Sequence, residues 1–351
     1  MDATTSLSTS SVAAEPTRER TTSHATPGTM LAITFHRFGS SSVLERSEVA
    51  IPAPAPDQVL VRVRASSVNP VDWHGMRGEP MLVRMSAGWR RPKDPRLGAD
   101  VAGVVETVGA EVTDLAVGDE VFGMGVGTFA EFVVISGKGV VRKPADISFE
   151  EAAAIPVAAT TALQGLRDVG RLQAGQSVLV NGASGGVGSF AVQLARALGA
   201  SEVVGVCSSR NVELVATLGA DRVVDYTRQD FLKDGRRYDV VFDTAGSRSV
   251  RSMRQVVAPR GTLVICGGQP GRWLGPVSRW IAGSVLTRLG SQRLQAFLAH
   301  RDRDDLLYLR DLVEAGTLRP VIDRRYPLAE VPDAIAYLEA GHARGKVVIT
   351  V

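Results

Sequence analysis

The stretch Val178-Leu179-Val180-Asn181-Gly182-Ala183-Ser184-Gly185-Gly186-Val187-Gly188 is followed, after Ser189, by Phe190-Ala191-Val192-Gln193-Leu194-Ala195-Arg196-Ala197-Leu198-Gly199. A short apolar run reads as a buried strand and the helix formers behind it as a helix, so the glycines form the turn between them. Gly182, Gly185 and Gly188 recur every three residues, and Ala183 takes the place of the first glycine in the G-x-G-x-x-G spelling. Between a strand and a helix this spacing has a physical purpose. Glycine permits the tight turn, lets the backbone approach a pyrophosphate, and lets helix pack close on strand. The free N–H groups at the helix start then hold the anion, which makes Gly182, Gly185, Gly186, Val187 and Gly188 the candidate cofactor-binding residues of the loop.

Two other motifs overlap the same loop. Gly182-Ala183-Ser184-Gly185-Gly186 spells the G-x-S-x-G nucleophile elbow, with Asp243 and then His300 or His342 following in the order a hydrolase triad needs. That reading leaves Gly188 unexplained and places an unusual β domain before the elbow. A Walker A loop is excluded, because no Gly-Lys-Ser or Gly-Lys-Thr follows the glycines. The short-chain dehydrogenases are disfavoured as well, since no Tyr is followed four residues later by Lys.

Outward from the loop, the apolar runs Val203-Val204-Gly205-Val206, Val223-Val224, Val240-Val241-Phe242 and Leu263-Val264-Ile265 alternate with amphipathic stretches. Nearly all-apolar strands separated by helices predict a parallel sheet covered on both faces, a doubly wound α/β domain over 151–304. From residue 30 to about 150 the pattern differs. Val59-Leu60-Val61-Arg62-Val63-Arg64 alternates with period two, and Gly and Pro interrupt such runs at short intervals, which predicts an irregular antiparallel β-rich substrate domain. Two helical patterns, Leu306 to Glu314 and Val331 to Glu339, and a last strand, Lys346 to Val351, read as a return of 305–351 to that first domain. Residues 1–29, rich in Ser and Thr with almost no large apolar side chain and no secretory h-region, read as a disordered tail.

Composition limits the function classes. The chain has 351 residues, 44% hydrophobic and 22% charged, enough to bury the cores of two domains. No run reaches the roughly 18 apolar residues of a transmembrane helix, so no integral membrane segment is expected. Forty basic and thirty-seven acidic residues leave a net charge of +3. The densest basic stretch, Arg301 to Arg325, is interleaved with Asp302, Asp304, Asp305, Asp311 and Glu314, which argues against a nucleic-acid face. Cys207 and Cys266 support neither a disulfide framework nor a Cys-rich zinc lobe, and read as buried thiols in a reducing, cytoplasmic setting.

An NAD enzyme places an acid about 20 residues past its glycines to bond the ribose 2′-hydroxyl. Here the second strand ends in Cys207-Ser208-Ser209-Arg210-Asn211 with no acid. Hydroxyls at Ser208 and a guanidinium at Arg210 suit a 2′-phosphate, which predicts NADP(H) over NAD(H).

Several motifs in order resemble one family. The glycine loop, Leu218-Gly219-Ala220-Asp221 with Val224-Asp225-Tyr226, Asp119-Glu120-Val121-Phe122-Gly123, Asn69-Pro70-Val71-Asp72-Trp73 and Gly98-Ala99-Asp100-Val101-Ala102-Gly103 look like the medium-chain dehydrogenase/reductase superfamily. Within it the chain is similar to the zinc-independent quinone oxidoreductase, or zeta-crystallin-like, branch, from about Met30 to Val351. The resemblance implies a GroES-like β domain beside the Rossmann domain, a homodimer, and a quinone or α,β-unsaturated carbonyl as substrate. It also implies that Tyr226 packs by the adenosine ribose phosphate and Thr161 by the nicotinamide. The loops Thr244-Ala245-Gly246 and Cys266-Gly267-Gly268 would then line the cofactor. The lysine common in the branch after the second strand is Asn211 here, which leaves phosphate recognition to Arg210 and Ser208.

No metal is expected. Asn69 stands near the place of the zinc-binding Cys, and Gly98-Ala99-Asp100 stands where the alcohol dehydrogenases carry Gly-His-Glu. Hydride removal from an alcohol is hard without a Lewis acid, whereas reduction of a quinone or enone needs only a positioned hydride and a hydrogen-bond donor. The expected donors lie in the loop from Asn69 to His74, with His74 in the place of a tyrosine near the nicotinamide. An alcohol or aldehyde oxidoreductase, or an NADPH-binding protein with a structural role, are the alternatives. The basic amphipathic segment Trp273 to Phe297 reads as packing at a domain or subunit interface.

Overall fold

A computed structural model of the chain describes residues 28–81, 84–85, 88–266 and 291–351. The tail 1–27, Gly267, Gly268 and most of the segment from Trp273 lie outside the described residues.

The chain opens with β1 (Thr29–Thr34) paired antiparallel to β2 (Glu45–Ala50). Next come β3 (Gln58–Val68), α1 (Pro70–Arg77), β4 (Asp100–Val108), β5 (Glu120–Met124), β6 (Phe132–Ser136) and β7 (Val140–Arg142). In β3 Val59, Val61 and Val63 are buried while Arg62 and Arg64 are exposed, as a strand with one face on a core requires. Burying each such valine contributes about 1.5–3 kcal/mol. The helices α2 (Phe149–Ala153) and α3 (Pro156–Gln164) cross to the second sheet. A capping box starts α2, with the Ser148 N–H donating to Glu151 and the Glu151 N–H to Ser148 Oγ.

The second sheet is built from β8 (Ser177–Asn181), α4 (Gly186–Ala197), β9 (Glu202–Cys207), α5 (Val212–Thr217), β10 (Arg222–Asp225), β11 (Tyr238–Asp243), α6 (Val250–Met253), β12 (Val257–Ile265) and β13 (Arg293–Ala296). Its order is β10-β9-β8-β11-β12-β13 and every pairing is parallel. Val178, Leu179 and Val180 are all fully buried, because helices cover both faces. Strand order reverses between β8 and β11, so their carboxyl ends, Asn181 and Asp243, open the crevice where a doubly wound sheet binds its ligand.

The chain then runs through α7 (Arg303–Glu314), β14 (Ile322–Pro327), α8 (Val331–Glu339) and β15 (Lys346–Thr350). The first sheet has the order β14-β15-β3-β4-β5-β7, with β6 also on β3, and β15 runs antiparallel to β3. The final strand therefore does return to the β-rich half.

Two details differ from the sequence reading. The parallel sheet gains a strand, Arg293–Ala296, inside what reads as an amphipathic interface segment; it lies at the sheet edge, where only Leu294 is buried and no apolar run is needed. Helix α7 does not belong to the β-rich half alone. Its Leu306, Leu309 and Val313 join one core cluster with Leu163 and Leu166, Val178 and Val180, and also Phe122 and Val141 of the first sheet. No helix among the described residues is long and apolar enough to cross a membrane.

Candidate functional site

The glycine loop sits at the end of β8. The N–H groups of Gly182 and Ala183 both donate to Val206 O, at 3.1 and 3.0 Å, tying the loop to the end of β9. Gly182 has φ +89°, the left-handed region that favours glycine, and a Cβ there would meet Thr244 Oγ1 at 2.4 Å. Gly188 is demanded by contact instead, since its Cβ would lie 2.0 Å from Gly182 O and 2.9 Å from Ala183 Cα. Gly185 caps α4 with no side-chain acceptor, and the first helical bond runs from Ser189 N to Gly185 O. The N–H groups of Gly186, Val187 and Gly188 thus point out of the helix start without intrahelical partners, an arrangement made for an anion.

The hydrolase triad is not assembled. Ser184 Oγ accepts from Asn211 Nδ2 at 2.9 Å, Asp243 takes Asn181 Nδ2 at 2.8 Å, and His300 Nε2 stands 3.9 Å from Asp302.

At the end of β9, the buried Asn211 amide reaches both Ser184 and, at 3.3 Å, Ser208 Oγ. Arg210 is exposed and donates to His342 O at 2.8 Å. Tyr226 is 55% exposed beside them, so its ring has room for a ligand. One acid was missed by a reading that looked only along a single strand. Asp225 ends β10 in register with Cys207, and its carboxylate takes Ser209 Oγ at 2.6 Å and Thr227 Oγ1 at 2.7 Å. The Ser209 bond in particular holds it below the usual carboxylate range. The signal was present in Val224-Asp225-Tyr226, but only the parallel register brings it to the end of β9.

The residues expected beside the nicotinamide are Thr161 on α3 and those that directly follow β11 and β12. Thr161 Oγ1 donates to Val157 O at 2.6 Å. Thr244 N and Oγ1 both donate to Asn181 O, which fixes the turn carrying Ala245. Cys266 N donates to Asp243 O at 3.0 Å, and burial pushes the Cys266 thiol up to about 12, with the Asp243 carboxylate adding to the shift. At that value the thiol stays protonated at neutral pH.

Adjoining the glycine loop through Gly345 and Lys346 is a buried polar cluster. Asp100 Oδ1 accepts from Val157 N at 2.8 Å, and its Oδ2 accepts from Ser67 Oγ at 2.5 Å and Asn69 Nδ2 at 2.7 Å, with Lys346 Nζ at 3.3 Å. Lys346 Nζ also donates to Asn69 Oδ1 at 2.5 Å. Asn69 Nδ2 has a second acceptor in Ser67 O at 3.2 Å, so both amide hydrogens are engaged within the protein. Asn69 begins α1, where its N–H donates to Asp72 Oδ2 at 2.7 Å. Burial raises the Asp72 carboxyl to about 7, and the nearby Asp100 charge works in the same direction.

His74 lies on a different face of α1. Its ring stacks on Trp73, its Nδ1 is 2.8 Å from Glu79 O, and burial lowers its pKa. A carbonyl oxygen only accepts, so Nδ1 carries the proton and the neutral ring presents Nε2 as an acceptor. Asn69 and His74 are therefore brought to one helix but not into one hydrogen-bonded unit.

Among known families, residues 55–145 match the one described as Alcohol dehydrogenase GroES-like domain, and residues 218–349 the one described as Zinc-binding dehydrogenase. The chain is 36% identical to the 2-methylene-furan-3-one reductase of Solanum lycopersicum, over 94% of this chain and 81% of that protein. It is 34% identical to an NADPH-dependent alkenal/one oxidoreductase, chloroplastic, of Arabidopsis thaliana, over 98% of this chain and 85% of that protein. A solved Escherichia coli quinone oxidoreductase complexed with NADPH is similar with a TM-score of 0.79 at 25% identity, covering 92% of this chain and 98% of that one. The chain belongs to the medium-chain dehydrogenase/reductase superfamily, in its quinone oxidoreductase branch.

In this superfamily the first sheet is the GroES-like domain and the parallel sheet the Rossmann domain. The second family description names zinc, and the residues present do not fit it. Near the medium-chain dehydrogenase metal position this chain offers Asn69, Ala99 and an Asp100 whose oxygens are already taken, with the Lys346 ammonium 3.3 Å away to repel a cation. Lys346 is the residue of this cluster that sequence reasoning missed. Nothing local marks it, because its partners lie far along the chain in Asn69 and Asp100.

Proposed function

We propose that the protein is an NADP(H)-dependent reductase that transfers a hydride to a quinone or an α,β-unsaturated carbonyl without zinc. The observation that carries this reading is the pairing of a glycine loop shaped for a dinucleotide with an adjoining buried cluster whose cation is an ammonium. Two of the proteins named above are, by their names, an NADPH-dependent alkenal/one oxidoreductase and a quinone oxidoreductase complexed with NADPH. Gly182, Gly185, Gly186, Val187 and Gly188 would hold the pyrophosphate, and Ser208, Arg210 and Tyr226 the adenosine ribose and its phosphate. Thr161, Ala245 and Cys266 would line the nicotinamide. The bound cofactor supplies the hydride. With both hydrogens of the Asn69 amide engaged and His74 Nε2 an acceptor, neither residue is read as the proton donor. Asn69 positions α1, and the acceptor oxygen takes its proton from water entering the cleft. A quinone or enone tolerates this, because hydride capture leaves a delocalised oxyanion that needs no metal.

The division into a substrate domain, 30–150 with 305–351, around a cofactor domain, 151–304, is supported by the strand pairings, with α7 packed against both. A homodimer and a cytoplasmic setting complete the reading, the former on the family resemblance and the latter on the two free thiols. The test is oxidation of NADPH and of NADH by the purified, chelator-treated chain over a panel of quinones and enones. Turnover with NADPH, unchanged by the chelator, is expected. Tight NADPH binding with no acceptor reduced would favour a non-catalytic role.

A further inference from the structure

Lys346 opens β15, which lies between β14 and β3 in the first sheet. Its side chain is 3% exposed, and its ammonium is held by Asn69 Oδ1, Asp100 Oδ2 and, at 3.5 Å, Val68 O. The same short segment also touches the glycine loop. Gly345 N donates to Ser184 O at 2.8 Å, Gly345 bridges to Gly185, and a Cβ on Gly186 would meet Lys346 Cδ at 3.1 Å. One residue pair thus leans on the N-terminus of α4 with its backbone and stem, and on the N-cap of α1 with its charge.

We propose that Lys346 is a positioning residue that couples occupation of the nucleotide loop to the placement of Asn69 and α1. The inference rests on the cofactor reading above. An anion at the start of α4 fixes the backbone of Ser184 to Gly188, and through Gly345 this fixes the origin of the Lys346 side chain. A fixed ammonium then has one place to put its Asn69 partner, because Asp100 is itself anchored to α3 through Val157 N. Asn69 in turn sets where α1 begins, and α1 carries His74. Cofactor binding therefore firms the substrate side before an acceptor arrives. An ion pair that served stability alone would make no link to the nucleotide.

The test is hydrogen exchange of the full chain with and without NADPH, in wild type, Lys346→Met and the double variant Asp100→Asn/Lys346→Met. The double variant matters because the single one leaves a buried carboxylate without its cation and is prone to unfold. In wild type, NADPH slows exchange both at 182–188 and at 69–77. In the double variant protection at 182–188 is kept, while the NADPH effect at 69–77 shrinks by about fivefold or more. For any acceptor turned over, KM rises by about tenfold with a smaller change in kcat. Equal protection of 69–77 in both proteins, or none there in wild type, overturns the coupling. Absence of protection at 182–188 in wild type would instead sink the cofactor reading itself.

Discussion

The glycine loop and the buried cluster around Lys346 meet beside Gly186, yet they are built by opposite means. The loop works with backbone atoms from consecutive residues, and its demands are steric: Gly182 for its φ of +89° and Gly188 for a contact no Cβ can share. The cluster works with side chains from Ser67, Asn69, Asp100 and Lys346, and its demands are electrostatic: one carboxylate, one ammonium and an amide that joins them. A backbone site fails when an atom is added, whereas a side-chain site fails when one partner is taken away and the rest stay buried. The two regions should therefore break differently.

The largest effect is expected in the cluster. Asp100→Ala strands Lys346 and removes the acceptor of Val157 N, Ser67 Oγ and Asn69 Nδ2 together. Breaking a buried pair in this way costs about 3–5 kcal/mol. Denaturant unfolding measures it, and a loss below about 1 kcal/mol would show that water or rearrangement compensates the ammonium. In the loop, Gly188→Ala should weaken NADPH binding by about 100-fold, or about 2.7 kcal/mol. Its control is Gly185→Ala, whose Cβ meets only Gly182 O at 3.4 Å and should leave the melting temperature unchanged. A loss of nucleotide affinity without a change in melting temperature is the result expected of a residue that holds the pyrophosphate, and unchanged affinity would take Gly185 out of that role.

The contrast also explains what the sequence made legible. The loop could be read because strand, turn and helix are consecutive from Val178 to Gly199, whereas the order of the parallel sheet comes only from the strand pairings. Arg293–Ala296 was hidden since an edge strand buries one residue in this sheet and shows no apolar run. Lys346 and Asp225 were hidden for another reason. Each gains its meaning from a neighbour supplied by strand pairing, Lys346 through β15 on β3 and Asp225 through β10 on β9. His74 was visible as a residue, but its tautomer is set by Glu79 O, a backbone atom no spacing rule predicts.

Titration sharpens the comparison further, because only the cluster holds a group that changes charge near neutrality. Burial raises Asp72 from 3.8 to about 7. Between those values the folded chain keeps a proton that the unfolded chain releases, so stability falls as pH rises through that window. Asp72→Asn keeps an oxygen for Asn69 N and lacks the ionisation. Relative to wild type it should gain stability from about pH 5 to pH 8, by about 2 kcal/mol, in urea midpoints taken across that range. A constant difference across the range would mean that Asp72 is ionised throughout.

The smallest effect lies at the outer end of the loop, where backbone and side-chain recognition meet. Arg210 is exposed, holds only His342 O with one of its nitrogens, and has no carboxylate in an ion pair among the described residues. Asp225, the acid that ends β10, is taken by Ser209, Thr227 and, at 3.5 Å, Arg228. A guanidinium left with open donors beside Ser208 and Tyr226 is suited to a 2′-phosphate. Arg210→Ala should then raise KM for NADPH by about tenfold, or about 1.4 kcal/mol, and leave KM for NADH unchanged. Measuring both nucleotides is what gives the result meaning. Equal losses would assign Arg210 to holding the His342 turn against the Rossmann domain, and cofactor choice would pass to Ser208 and Tyr226; a loss for NADPH alone ties it to the phosphate.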